Sequence, residues 1–151
     1  MKVTPRRPPA LALALLALAG CSREGDAVLP TACREGAPAV REALEAAPSE
    51  VRIDGTPISA CLGEKSDGGD LRDVGKAYLD TAASLSSAAA EDPNGPEATQ
   101  LGYLMGAVRR SAPADQGVNY EMVRRLEQEL LRVDTTTAAF RRGFEAGREG
   151  G

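Results

Sequence analysis

The segment Leu101-Gly-Tyr-Leu-Met-Gly-Ala-Val108 is an uninterrupted run of apolar residues and glycine. Pro96 stands ahead of it at a favourable first-turn position, and the apolar residues recur at three- and four-residue spacing. The pattern predicts a helix in which Gly102 and Gly106 share a face that another helix can approach closely. Because a membrane span needs about 20 apolar residues, the run favours tight packing inside a small-residue core over dimerisation in a membrane.

Further segments show the same helical periodicity, and together they predict a small bundle of four or five helices. Asp70 and Asn119 are candidate N-caps for two of these helices. The last helix is expected to be short, with the ring of Phe140 over Phe144. Gly150 and Gly151 are expected to fray. The additional helices are expected at residues 38–47, 70–89, 119–133 and around 140–144.

A short β-hairpin is predicted between the first and second helices. Residues 51–53 alternate in polarity, Asp54-Gly55 offers a two-residue turn, and β-forming residues continue from Thr56 to Leu62. Pro57 confines the second strand to a sheet edge, because it cannot donate a ladder hydrogen bond.

The N-terminus has the three parts of an export signal. An uncharged run from Ala10 to Ala19 is too short to span a bilayer, and Leu18-Ala19-Gly20-Cys21 follows at its end. This motif resembles the lipobox of bacterial lipoproteins, and the resemblance covers roughly the first 21 residues. An ordinary secretory signal that happens to be cut beside a cysteine is the alternative. The basic residues ahead of the run are Lys2, Arg6 and Arg7.

The resemblance implies that residues 1–20 are removed and that the sulfur of Cys21 is diacylated. Residues 21–30 would then form a lipidated tether, and residues 31–151 a single helical domain. The protein is expected on the outer face of the cell membrane, or at the outer membrane if the cell has two. Its membrane attachment would rest on the lipid at Cys21 alone. The several acyl chains of a mature lipoprotein are enough for stable anchoring.

Charge argues against one class of partner. The chain contains 18 Lys/Arg and 22 Asp/Glu residues, with three of the basic residues in the leader. The exported part is therefore clearly acidic, and an acidic surface repels phosphate polymers. We expect no nucleic-acid partner.

Removal of Cys21 from the count leaves Cys33 and Cys61. In an oxidising compartment such a pair usually forms a disulfide, which here would join the first helix to the segment after Ser49. A redox or metal pair is disfavoured, because the chain has no histidine and no C-x-x-C motif. The predicted fold class is therefore mainly α, a small bundle of four or five helices with a short disulfide-tied β-hairpin.

No feature of the sequence predicts a cofactor, a metal site or catalysis. The commonest general base, histidine, is missing. Glu91 and Asp92 are adjacent carboxylates at a helix end, and the serines at 84, 86 and 87 have no evident activating base. Calcium binding by a glycine-containing acidic loop is a weaker alternative, because the order of ligands does not match an EF-hand. The acidic residues of that loop are Glu64, Asp67, Asp70 and Asp73.

Arginines on the last helices are the best candidates for a partner-binding face, because arginine is enriched at protein interfaces. Their alternation with glutamates also fits intrahelical ion pairs. The leading hypothesis is a lipid-anchored, non-enzymatic envelope protein that binds another protein near the membrane. The alternative is a lipoprotein that binds a small ligand or a divalent cation. The candidate face comprises Arg109, Arg110, Arg124, Arg125 and Arg132.

The lipobox yields the first testable prediction. Cys21→Ser removes the acylation site, so incorporation of an alkynyl palmitate analogue should be lost and the protein should leave the membrane fraction. Click labelling and cell fractionation measure both effects. The Cys33→Ser/Cys61→Ser double variant is the matched control and should keep its label. Unchanged labelling of Cys21→Ser would contradict the lipoprotein assignment.

Overall fold

The computed structural model describes residues 29–62, 68–112 and 118–151, and within these ranges the chain is mainly helical. It contains five α-helices and one two-stranded antiparallel sheet, so the predicted fold class is confirmed. Short 3₁₀ helices cover Thr31–Arg34, Ile58–Leu62 and Leu130–Arg132. The elements, in chain order, are α1 (Ala37–Leu44), β1 (Arg52–Ile53), β2 (Thr56–Pro57), α2 (Gly68–Glu91), α3 (Pro96–Ser111), α4 (Val118–Glu129) and α5 (Ala138–Gly150).

Helix α3 is the centre of the molecule, and α5 packs directly on its backbone. Every residue of α3 from Leu101 to Val108 is buried. A Cβ atom added to Gly102 would overlap the carbonyl oxygen of Phe140, and one added to Gly106 would overlap that of Phe144. Contacts therefore advance in the same direction along both helices, which makes α3 and α5 parallel.

The close contact is reciprocal, because α5 carries a glycine pair of its own. A Cβ on Gly143 would overlap the carbonyl oxygen of Thr99, and one on Gly147 would overlap that of Tyr103. The sequence analysis identified the glycine pair on α3 but not this second pair, although both have the same four-residue spacing. Two glycine faces thus replace side-chain interdigitation along this interface.

The hairpin forms where it was expected, but its second strand is shorter. Asp54 and Gly55 have φ angles of 44° and 79°, which supply the left-handed turn that a two-residue hairpin loop needs. Strand pairing joins Arg52 to Pro57 and Ile53 to Thr56. Residues 58–62 form a 3₁₀ helix instead of the predicted strand, since their buried side chains recur three residues apart rather than alternating.

The predicted disulfide between Cys33 and Cys61 is confirmed and spans a sequence separation of 28 residues. It joins the 3₁₀ helix before α1 to the 3₁₀ helix after β2, whereas the sequence analysis placed it on α1 itself. Closing a loop of this length stabilises the fold by about 3–4 kcal/mol in the chain-entropy description.

Two buried tyrosines attach the hairpin segment to the helices. The hydroxyl of Tyr78 on α2 donates to the carbonyl oxygen of Ile58 at 2.7 Å, and the hydroxyl of Tyr103 on α3 accepts from the Val51 amide at 3.0 Å. Burial raises the pKa of the Tyr78 phenol, so it remains a neutral donor. Backbone groups of the hairpin segment that would otherwise be buried without partners are thereby satisfied.

The predicted N-caps are wrong, because α2 and α4 both begin earlier than expected. The carboxylate of Asp70 lies in the first turn of α2 and accepts from Arg34 at 2.9 and 3.1 Å. Asn119 lies in the first turn of α4, and its side-chain amide donates to the carbonyl oxygens of Leu62 at 2.9 Å and Ser111 at 3.1 Å. Both side chains connect separate elements.

Both ends of the described chain are packed. Leu29, which the sequence analysis assigned to the tether, is only 3% exposed and belongs to the core. Helix α5 continues through Gly150, and Gly151 is buried and accepts a hydrogen bond from Ser59. The fraying expected at these two glycines is not observed. Among the described residues, no helix combines the length and hydropathy needed to cross a bilayer.

The α3–α5 contact gives a prediction for stability. Gly143→Ala should lower the free energy of unfolding by about 3–5 kcal/mol, a range typical of severe core substitutions, because its Cβ overlaps backbone that cannot move aside. Urea denaturation followed by circular dichroism measures the change. Gly150→Ala is the control: its Cβ would lie 3.7 Å from the Tyr103 hydroxyl, and stability should stay the same or rise. Equal stabilities for both variants would contradict the proposed close contact.

Candidate functional site

Helix α4 lies between two surface grooves, and these are the candidate functional region. On one side Glu121 and Arg125 line a groove against α2. On the other side Tyr120 and Glu127 line a groove against α3 and α5. The side chains that α4 turns to the core are Met122, Val123 and Leu126.

The groove between α2 and α4, here called the apolar groove, has a volume of about 510 Å³. Helical spacing places three of its floor residues on one face of α2, at intervals of four residues. Its rim is made of charged side chains from both helices. The floor residues are Leu71, Gly75, Leu79 and Met122, and the rim residues are Arg72, Lys76, Asp80, Glu121 and Arg125.

Gly75 allows Met122 to pack against α2 at the floor of the apolar groove. A Cβ atom at this position would lie 2.8 Å from the terminal methyl carbon of Met122, so a side chain here would displace Met122. Leu71 and Leu79, one turn away on each side, are only partly buried. The floor therefore presents aliphatic surface to solvent, and the flexible Met122 side chain can adapt to different shapes.

The charged rim is held by ion pairs within each helix. Lys76 pairs with Asp80 on α2, and Glu121 on α4 lies 3.0 Å from Arg125 and 3.2 Å from Arg124. The hydrogen bond from Arg125, followed by the charge of Arg124, holds the pKa of Glu121 below its usual range. At neutral pH the carboxyl group of Glu121 is therefore ionised, and side chains of both charge signs line the rim.

The second groove, here called the arginine groove, has a volume of about 410 Å³. The guanidinium group of Arg109 lies 5.8 Å from the ring centroid of Phe144, in cation–π geometry, and also pairs with Glu127. Phe140 stacks on Phe144 with ring centroids 6.3 Å apart, as the sequence predicted. Tyr120 is 39% exposed at the edge of this groove.

The arginines of the predicted partner-binding face are largely engaged within the molecule. Arg124 and Arg125 pair with the same glutamate on α4, as the intrahelical alternative predicted. Arg109 and Arg110 instead bridge helices: Arg109 reaches α4, and Arg110 donates to the carbonyl oxygens at the end of α5. Among the described residues, no partner is found for the side chain of Arg132 on the last 3₁₀ helix.

The residues considered for other chemistry do not come together in the described ranges. Cys21, Glu64 and Asp67 lie outside those ranges. Asp70 pairs with Arg34, and within the described residues no group of three potential metal ligands is found. The carboxylate of Asp92 accepts from the Asn94 amide at 3.2 Å and stabilises the turn between α2 and α3.

Of the three serines considered for catalysis, two form hydrogen bonds with other groups of the described residues and one forms none. The Ser84 hydroxyl accepts from Arg41, and the Ser87 hydroxyl donates to the Ala83 carbonyl oxygen at 3.2 Å. Ser86 is buried, and its hydroxyl has no hydrogen-bond partner among the described residues. None of the three contacts an activating base in the part of the chain that the structure describes.

The apolar groove was missed by the sequence analysis, although a signal for it exists. The main apolar stripe of α2 runs through Leu71, Val74 and Tyr78. Leu71, Gly75 and Leu79 form a second line at four-residue spacing beside that stripe. A glycine between two leucines on a helix face marks a position where a side chain of another helix can reach the backbone. Comparison with protein families, curated proteins and solved structures finds no match to this chain.

The electrostatics of the rim can be tested by titration. In the Arg124→Gln/Arg125→Gln variant the pKa of Glu121 should rise toward that of an unperturbed glutamate, because both cations that favour its ionised form are gone. In the natural protein the ionised pair is present at neutral pH and is lost as the pH falls through the lowered pKa. Carboxyl ¹³C NMR measures this directly. Asp134, whose pKa is lowered by hydrogen bonds from Thr136, should titrate identically in both proteins. An unchanged Glu121 pKa would contradict the pairing.

Proposed function

We propose that this protein is a lipid-anchored, extracytoplasmic and non-enzymatic component of the cell envelope that binds another protein close to the membrane. Helix α4, with a groove on each side, is the contact element. The observation that carries the proposal is the position of α4 on the surface of a closely packed core, flanked by side chains of types that are enriched at protein interfaces.

Two features support the location. The lipobox-like motif at Leu18–Cys21 implies export and acylation, and a disulfide between Cys33 and Cys61 is typical of oxidising compartments outside the cytoplasm. Helical content and small size are consistent with a compact domain held near the bilayer by a short tether.

The chemistry of α4 supports protein binding over catalysis. The side chains of Tyr120, Arg124 and Arg125 lie at its exposed surface, and Met122 lies at the floor of the apolar groove. Tyrosine, arginine and methionine are the residues that interfaces favour. The surface ion pairs around Glu121 contribute little to folding stability, so a partner can exchange them for its own charges at small cost.

Site-specific photocrosslinking in living cells tests the proposal. A benzophenone amino acid at Tyr120 should capture one dominant envelope protein, whereas the same group at Glu42, exposed on α1, should not. In the Arg124→Glu/Arg125→Glu background the crosslink from position 120 should fall at least tenfold, because the charge on α4 is reversed. Circular dichroism confirms that the double variant is folded.

The crosslinking results that support the proposal differ from those that contradict it. A single partner that depends on position 120 and on both arginines supports a protein-binding role for α4. Identical crosslinks from positions 120 and 42, or a crosslink that survives charge reversal, would overturn it.

A further inference from the structure

We propose that the apolar groove between α2 and α4 is a binding site for a single unbranched acyl chain that ends in a carboxylate. This inference goes beyond the protein interaction proposed above and does not depend on it. It rests on the aliphatic character of the floor, on the dimensions of the groove and on the distribution of charge around the rim.

The floor has the shape and chemistry of a channel for an alkyl chain. Leu71 and Leu79 stand eight residues apart on α2, which corresponds to about 12 Å along a helix axis. Between them Gly75 has no side chain, and the terminal methyl group of Met122 lies against it and continues the aliphatic floor. No aromatic side chain lines the groove within the described residues, so nothing in it selects for a flat ring. A volume of about 510 Å³ lies within the range of small-ligand sites.

The rim favours an anionic end group. Three cationic and two anionic side chains line the groove. Lys76 and Arg125 are each paired with an acid of the rim. Arg72, next to Leu71 at one end of the floor, has its nearest carboxylate 3.5 Å away on Asp73, which does not line the groove. Both of those side chains are highly exposed, at 81% and 70%, and such a pair is weak.

Charge complementarity therefore orients the ligand. The chain lies along the aliphatic floor, and its carboxylate meets the guanidinium group of Arg72, which can donate two parallel hydrogen bonds to it. A cationic head group of the same chain length would meet the guanidinium group of Arg72 at this end of the floor and bind less tightly. Burial of methylene groups on the floor supplies most of the affinity.

Methionine methyl NMR on the full chain gives a local readout. The sequence has three methionines, of which Met122 lies in the apolar groove and Met105 is buried in α3. Met1 reports separately on any association of the ligand with the N-terminal leader. Titration with dodecanoate, below its micelle concentration, should shift the Met122 signal saturably and leave Met105 unchanged. Dodecyltrimethylammonium should bind at least tenfold more weakly.

Three variants locate the ligand. Gly75→Val displaces the Met122 side chain from the floor and Leu79→Glu places a carboxylate on it, so each should weaken dodecanoate binding at least tenfold. The unchanged Met105 signal shows that each variant is folded. Arg72→Gln should weaken dodecanoate about fivefold while leaving dodecanol unaffected, because only the carboxylate contact is removed.

The proposal is overturned if dodecanoate shifts only Met1, or shifts Met105 as much as Met122. It is also overturned if the ammonium compound binds as tightly as the carboxylate, or if the apolar groove responds to an amphipathic helical peptide and to none of the single-chain ligands.

Discussion

The backbone contact between α3 and α5 is the constraint on which the rest of this fold depends. Four glycines allow the two helices to approach until carbonyl oxygens of one face the Cα atoms of the other. Because the helices are parallel, the chain must return from the end of α3 to the start of α5. Helix α4 makes that return. It cannot enter the glycine interface, so it packs on the outside against α2 and α3, and the two grooves are the spaces left along its sides.

The opposite side of the molecule is closed by different means. The disulfide between Cys33 and Cys61 and the hydroxyl groups of Tyr78 and Tyr103 attach the hairpin segment to α2 and α3. These contacts are buried or covalent, whereas the ion pairs around α4 are exposed to solvent. The fold thus combines a rigid core and hairpin with one helix whose flanks are accessible, which is the arrangement expected where binding groups are carried on a stable scaffold.

Short-range sequence patterns correctly predicted the structural features that depend on local geometry. Helical periodicity identified the helices, the Asp54-Gly55 pair identified the hairpin turn, and the three- and four-residue spacing of Glu121 from Arg124 and Arg125 predicted their ion pairs. The bridge from Arg109 to Glu127 could not be predicted in this way, because it depends on how α3 and α4 pack. The same holds for the glycines of α5 and for the apolar groove. Periodicity shows which face of a helix is apolar, but it does not show which helix covers that face or leaves it open.

The position of the apolar groove relative to the tether links the two functional proposals. Arg34 pairs with Asp70 and so holds the first described segment beside the start of α2, next to Leu71 and Arg72. The buried Leu29 is only eight positions after Cys21, a span of at most about 28 Å. A lipid on Cys21 would therefore keep this end of the groove within a short distance of the bilayer surface. Acyl chains with anionic heads and membrane-bound partner proteins are both concentrated in that layer, so an aliphatic floor with a cationic end is suited to the location that the lipobox implies.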